Sequence, residues 1–108
     1  MKEHILKLIE LNPDMLYYDL VKIFGLSMKE LFKLLDINNY KIKNKYIKFY
    51  NINNNEIYKE NSDGRWWKRE YDENGKLTYF ETYNKYWIKY EYDINGYLTK
   101  EEHSNDER

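Results

Sequence analysis

Few side chains in this 108-residue chain are spaced for covalent or acid–base chemistry. His4 and His103 lie near opposite ends and have no ligand-spaced companions. Ser27, Ser62 and Ser104 fall in a helix cap, a turn and a polar tail, so no nucleophile–base pair is suggested. Asp72-Glu73 and Asp93 could act as paired acids, yet turn aspartates more commonly bond their own backbone. The absence of cysteine removes disulfides and thiolate metal sites. The glycines at 25, 64, 75 and 96 are isolated, so there is no phosphate loop or dinucleotide fingerprint. The expectation is a non-enzymatic protein with no metal and no cofactor.

Binding chemistry is better represented. Trp66, Lys68 and Glu70 share one face of an alternating segment, and Trp87, Lys89 and Glu91 share the corresponding face of another. With Trp67 and Tyr79 these residues form a candidate partner-binding set, because tryptophans rimmed by charge have hot-spot composition. The competing reading is that the tryptophans close the sheet's own core. A second candidate set, Lys29, Lys33, Lys41, Lys43 and Lys45, could hold nucleic-acid phosphates.

Composition limits the rest. One or two very small domains fit in this length, and neither encloses a deep cavity. Thirteen Tyr, three Trp and four Phe supply much of the apolar surface. No apolar run approaches the roughly 18 residues of a transmembrane helix, and Met1–Leu6 does not read as a signal peptide. A cytoplasmic protein is expected. Residues 1–48 hold nine lysines and six acids, net +3, whereas residues 49–108 hold nine Lys/Arg and thirteen acids, net −4. The acidic balance of the second half argues against single-stranded nucleic acid stacking on Trp66 and Trp87. Abundant Lys, Asn, Tyr and Ile, with AT-rich codons, suggest a low-GC bacterium or its phage.

Residues 1–40 read as three helices. Ile5, Leu8 and Ile9 line one side of a helix over 4–11. Asn12 is placed as N-cap and Pro13 as first residue of a second helix, over about 13–23. Met15 or Leu16, Leu20, and Ile23 or Phe24 face inward. Gly25 ends it in a positive-φ turn, and Ser27 with Glu30 makes a capping box for a third helix over about 28–35. Leu31, Leu34 and Leu35 are expected to be buried and Met28, Lys29, Phe32 and Lys33 to face outward. Val21, Gly25, Leu31 and Leu34 sit at the positions of a helix-turn-helix, which the chain resembles over residues 16–36. That resemblance implies a recognition helix at 28–35, although it carries none of Arg, Asn or Gln, the good base readers. Lys41, Lys43, Lys45 and Lys48 alternate with Ile42, Tyr46 and Ile47, as in a first strand or basic wing.

Residues 41–102 repeat. Tyr71-Asp72-Glu73-Asn74-Gly75-Lys76-Leu77-Thr78 recurs 21 residues later as Tyr92-Asp93-Ile94-Asn95-Gly96-Tyr97-Leu98-Thr99. A degraded copy starts at Tyr50, with Asn51 for the aspartate and Asn54 for the glycine. Asn-Gly is a strong hairpin signal because both residues tolerate positive φ. Asn61–Gly64 and Tyr83–Lys85 read as links between hairpins, with return strands at 76–82 and 97–101. The pattern resembles the YD (RHS-type) repeat over residues 45–102, which implies tandem β-hairpins. Three copies are too few for a closed shell, so an open antiparallel sheet is expected.

The fold expected is α+β: a helical unit (1–40), three hairpin repeats (41–102) and a polar tail (103–108). In size and parts the chain resembles small phage-encoded anti-CRISPR inhibitors. That resemblance implies docking on a host protein or ribonucleoprotein that handles nucleic acid. The alternative is a DNA-binding regulator whose repeats dimerise it or sense a signal.

Overall fold

The computed structural model describes residues 1–104. It is an α+β arrangement: helices α1 (Lys2–Leu11), α2 (Tyr17–Phe24) and α3 (Met28–Leu34) precede an antiparallel sheet of seven strands. These are β1 (Tyr40–Ile42), β2 (Tyr46–Tyr50), β3 (Glu56–Asn61), β4 (Trp66–Tyr71), β5 (Leu77–Thr82), β6 (Trp87–Tyr92) and β7 (Leu98–His103). Strand order follows chain order. The chain divides into two compact units, Met1–Tyr40 and Lys41–Arg108.

In the helical unit, Ile5, Leu20, Leu31 and Phe32 are buried. The second helix starts later than Asn12-Pro13 suggests. Asn12 turns back on α1 instead, donating its backbone N–H and its Nδ2 to the Leu8 carbonyl at 3.0 and 3.1 Å. A side chain spent on the preceding helix cannot cap the next one, and Leu16 takes the N-cap position without a side-chain bond. Gly25 adopts the left-handed conformation at φ 66°. Ser27 Oγ accepts the Glu30 N–H at 3.1 Å while Glu30 Oε1 accepts the Ser27 N–H at 3.0 Å, closing the capping box. Phe32 is the correction in α3. It points inward at 0% exposure, edge-on to Tyr17 and Tyr40 with ring centroids 5.9 and 4.7 Å away. Leu34 and Leu35 are half-buried, and Ile23 is 56% exposed.

The sheet unit repeats itself in backbone detail. Tyr46, Trp67 and Ile88 pair with Asn61, Thr82 and His103, and Tyr50, Tyr71 and Tyr92 pair with Glu56, Leu77 and Leu98. Register shifts by one residue just before each of these three tyrosines, leaving an extra residue on the return strand. In two copies that residue is a threonine. Thr78 and Thr99 donate Oγ1 to the Glu70 and Glu91 carbonyls at 3.2 and 3.1 Å.

All five turns from β2 to β7 share one geometry. An N–H at the fourth turn position bonds the first carbonyl (Gly75 to Asp72, Gly96 to Asp93), and the first N–H bonds the fifth carbonyl. The segments expected as links, Asn61–Gly64 and Tyr83–Lys85, close in the same way, the second from Thr82. The positive φ falls on the fourth residue alone: Asn54, Gly64, Gly75, Lys85 and Gly96. Asn74 and Asn95 are not at positive φ. The turns are therefore three-residue loops ending in a left-handed residue, not two-residue Asn-Gly turns. Lys41–Lys48 also differs from the single strand expected. Lys43 donates its N–H to the Tyr46 carbonyl at 2.9 Å, closing a hairpin between β1 and β2. The polar tail begins later than residue 103, since His103 ends β7 and Ser104 Oγ accepts the Trp87 N–H at 3.0 Å. Residues 105–108 of that expected tail lie outside the described residues.

Candidate functional site: two faces of one sheet

Alternation along each strand, combined with the pairing register, sorts the side chains of the sheet unit onto two faces. On the Trp66 face, Ile47, Glu60 and Trp66 lie in one row, and Phe49, Tyr58, Lys68, Glu81 and Trp87 in the next. The third row is Glu70, Tyr79, Lys89 and Glu102. Ile47, Phe49, Glu60 and Trp66 are buried. Glu60 is fully buried and accepts the Tyr58 hydroxyl at 2.7 Å. Burying a carboxylate is costly unless it is hydrogen-bonded, which explains a tyrosine two residues away on the same face.

The two tryptophans of this face are not equivalent. Trp66 is 7% exposed and Trp87 is half-buried, so Trp66 belongs to the core and no two-tryptophan ridge forms. Each carries a lysine over its ring: Lys68 Nζ lies 4.7 Å from the Trp66 centroid and Lys89 Nζ 4.9 Å from that of Trp87. Around Trp87 the face is acidic. Lys68, Lys89 and Lys100 stand among Glu70, Glu81, Glu91 and Glu102. Tyr79 donates its hydroxyl to Glu81 at 3.1 Å, and its phenol titrates above the usual range through burial first and that carboxylate second.

The Trp67 face has a different chemistry. Trp67, Lys59 and Lys48 are directly opposite one another across β4, β3 and β2. Glu56 holds Lys48 Nζ at 3.0 Å on one oxygen and Arg69 Nη1 at 2.5 Å on the other. The bond to Glu56 is the main cause holding the Lys48 ammonium above its ordinary pKa. Lys59 Nζ lies 4.9 Å from the Tyr46 ring centroid and 5.3 Å from that of Trp67. Arg69 lies 5.2 Å from the Phe80 centroid. Lys48, Glu56, Lys59, Trp67, Arg69 and Phe80 together line a shallow depression of about 340 Å³.

Lys29 and Lys33 are exposed on α3, and Lys41, Lys43 and Lys45 are exposed around the β1–β2 hairpin, so the two lysine groups belong to different units. Asp72 and Asp93 are taken up by their own turns. Each Oδ1 accepts two backbone N–H groups at 2.9 Å, from Asn74 and Lys76 and from Asn95 and Tyr97. A carboxylate so engaged is a structural acceptor. Among the described residues no group of three His, Cys, Asp or Glu is arranged to hold a metal, and no helix is long and apolar enough to cross a membrane. Sequence reasoning missed Lys59 and Phe80. The signal was available, because Lys59 and Trp67 have equal offsets from the Asn61–Arg65 turn.

No protein-family model, no curated protein and no solved structure matches this chain. Its reading therefore rests on the geometry of these two faces.

Proposed function

We propose that the chain is a non-enzymatic binding protein that acts in the cytoplasm of a bacterial host. It docks the acidic Trp87 face of β4–β7 onto a basic surface of a host complex that handles nucleic acid. The observation that carries this reading is Trp87 itself. It is a half-buried indole set among Glu70, Glu81, Glu91 and Glu102, and its lysine neighbours are too few to balance them. An aromatic anchor in a charged rim with a net negative balance suits a partner groove of net positive charge, where desolvation of the ring supplies affinity and the charges steer approach. The small size, the two-unit plan and the resemblance to anti-CRISPR inhibitors make an RNA-guided defence nuclease the target class, reached from a phage or mobile element.

The test is interference in cells. Expression of the full chain in bacteria carrying such nucleases is expected to restore plaquing of a targeted phage against at least one system. The double variant Trp87→Ala, Glu91→Lys is expected to lose that effect while remaining folded. Unchanged plaquing against every system, or full activity of the double variant, refutes the reading.

A second reading is favoured by the α2–turn–α3 geometry, with Gly25 left-handed and the Ser27–Glu30 box closed. Exposed Lys29 and Lys33 would then meet phosphates of duplex DNA in the manner of a helix-turn-helix regulator. Salt-sensitive duplex binding abolished by Lys29→Ala, Lys33→Ala would favour it over the first.

A further inference from the structure

We propose that the Trp67 face of β1–β4 is a binding platform for single-stranded nucleic acid, of either sugar type. This does not rest on the defence-complex reading, which uses the opposite face of other strands.

A row of like charges crosses this face. The bond from the Lys43 N–H to the Tyr46 carbonyl sets those residues opposite each other, and two residues along each strand it sets Lys41 opposite Lys48. Lys48 is opposite Lys59, and Lys59 is opposite Trp67. Three lysines therefore stand side by side on adjacent strands, about 5 Å apart, and end on an indole. Like charges directly opposite one another destabilise a sheet. Glu56 and the rings of Tyr46 and Trp67 offset part of that cost at Lys48 and Lys59, and nothing among the described ion pairs offsets it at Lys41.

Partial compensation shows which charges remain for a ligand. Glu56 neutralises Lys48 and steers Arg69. Lys59 has ring faces on both sides instead of a carboxylate. Among the described residues, Lys41, Lys43 and Lys59 make no ion pair. Across β1–β4 this face thus carries five cations and one carboxylate, in a half-sheet that is acidic by composition. The −4 of residues 49–108 belongs mainly to the Trp66 face and the turns, so it does not describe the Trp67 face.

Aromatic rings interleave with these cations. Tyr46 lies between Lys48 and Lys59, Trp67 beyond Lys59, and Phe80 under Arg69. Cations that track a phosphate backbone, alternating with rings that stack bases, are the two ingredients of sequence-tolerant single-strand binding. The lysine stem is flexible, so the Lys59 ammonium can leave the Trp67 ring for a phosphate while a base takes its place. A duplex hides its base faces and gains only the phosphate contacts. Neither phosphate contacts nor stacking reads the 2′-hydroxyl, so DNA and RNA bind alike.

The experiment is fluorescence anisotropy of 5′-labelled dT12 with the full chain, at low and at physiological salt. Binding is expected to weaken with salt at a log–log slope of about −2 to −3, for three or four neutralised phosphates. Unlabelled U12 should compete as well as dT12, and a 12-bp duplex about tenfold less well. Lys41→Ala, Lys43→Ala alters only exposed side chains; it should weaken binding about tenfold and flatten the salt slope. Trp67→Ala should weaken it at least tenfold through lost stacking. Glu56→Gln, which removes the one carboxylate of the platform, should tighten it. Should Trp67→Ala fail to fold, the double-lysine and Glu56→Gln variants decide the matter. The proposal is overturned by absence of binding, by equal competition from duplex or polyglutamate, or by binding lost in Lys29→Ala, Lys33→Ala but kept in Lys41→Ala, Lys43→Ala. Loss of plaquing rescue with dT12 binding intact would refute only the inhibitor reading.

Discussion

Tyr92 donates its hydroxyl to the backbone carbonyl of Leu77 at 2.6 Å, fastening β6 to the start of the return strand of the preceding hairpin. Tyr71 does the same to Glu56 at 2.9 Å. Both bonds span 15 residues. Four residues of the recurring motif thus have structural tasks. Tyrosine locks backwards, aspartate closes its turn, glycine supplies the left-handed position, and threonine bonds the carbonyl at the register shift. Tyr71→Phe and Tyr92→Phe should each cost about 1 kcal/mol in urea unfolding, the net worth of one hydrogen bond. Their double mutant should be close to additive, because the two bonds share no partner. A cost near zero for both would remove the locking role.

The left-handed turn positions give a prediction of opposite signs. Gly75 sits at φ 82° with no atom near an added Cβ, so Gly75→Ala carries only backbone strain and should destabilise by about 1 kcal/mol. Lys85 holds φ 67° despite its side chain. Lys85→Gly should therefore stabilise, by up to about 1 kcal/mol after the entropy cost of glycine. A melting temperature that falls in both variants would contradict the shared turn geometry.

These turns also show what was legible in the chain. Tyr71–Thr78 and Tyr92–Thr99 advertised two hairpins through Asp, Gly and Thr, and the 21-residue period fixed their correspondence. The turns at Asn61 and Thr82 were legible only as links between hairpins: Gly64 signals a positive φ at the fourth position of one, whereas Lys85 gives no such signal in the other. The charge segregation was hidden as well. Lys59 and Trp67 sit at equal offsets from their turn, but the register shift before Tyr50 makes the offsets of Lys48 and Lys59 unequal, so only the observed pairing sets those two opposite each other. In the helical half the capping box was readable from Ser27 and Glu30. The inward turn of Phe32 was not, since it depends on rings at Tyr17 and Tyr40 that are distant in sequence.

The capping box should make the helical unit acid-sensitive. The Ser27 backbone N–H, and then its side chain, hold the Glu30 carboxyl below its usual value of 4.5. A carboxyl with a lowered folded pKa contributes stability above its unfolded value and loses it as pH falls through the folded one. Ser27→Ala should cost about 1 kcal/mol near neutral pH. Glu30→Gln keeps a capping partner without the charge, so its difference from the parent should persist at 4.5 and shrink to nothing only as pH falls through the lowered value of the folded carboxyl. Helix ellipticity followed in thermal melts at several pH values checks this. A difference that persists unchanged at low pH would contradict it.

Glu56 should matter most when salt is scarce. Glu56→Ala leaves Lys48 and Arg69 unneutralised beside Lys59, and should cost about 1 kcal/mol for two partly buried pairs. The repulsion it uncovers is screened by ions, so part of that loss should return in 0.5–1 M NaCl, where the screening length is about 3–5 Å. Urea titrations of parent and variant at two salt concentrations give the comparison. An equal loss at both would mean that packing, not charge, accounts for the residue.

The tyrosine locks also give the sheet a direction in time. Each lock is supplied by a later strand and received by a carbonyl already laid down, never the reverse. A chain leaving the ribosome can therefore form one hairpin, extend it, and bolt it from behind before the next has been made. Such assembly involves only short loops, so closing each stage costs little entropy and the slow search of distant strands is avoided. The sheet is in this sense a zip fastener, with the tyrosine hydroxyls for teeth.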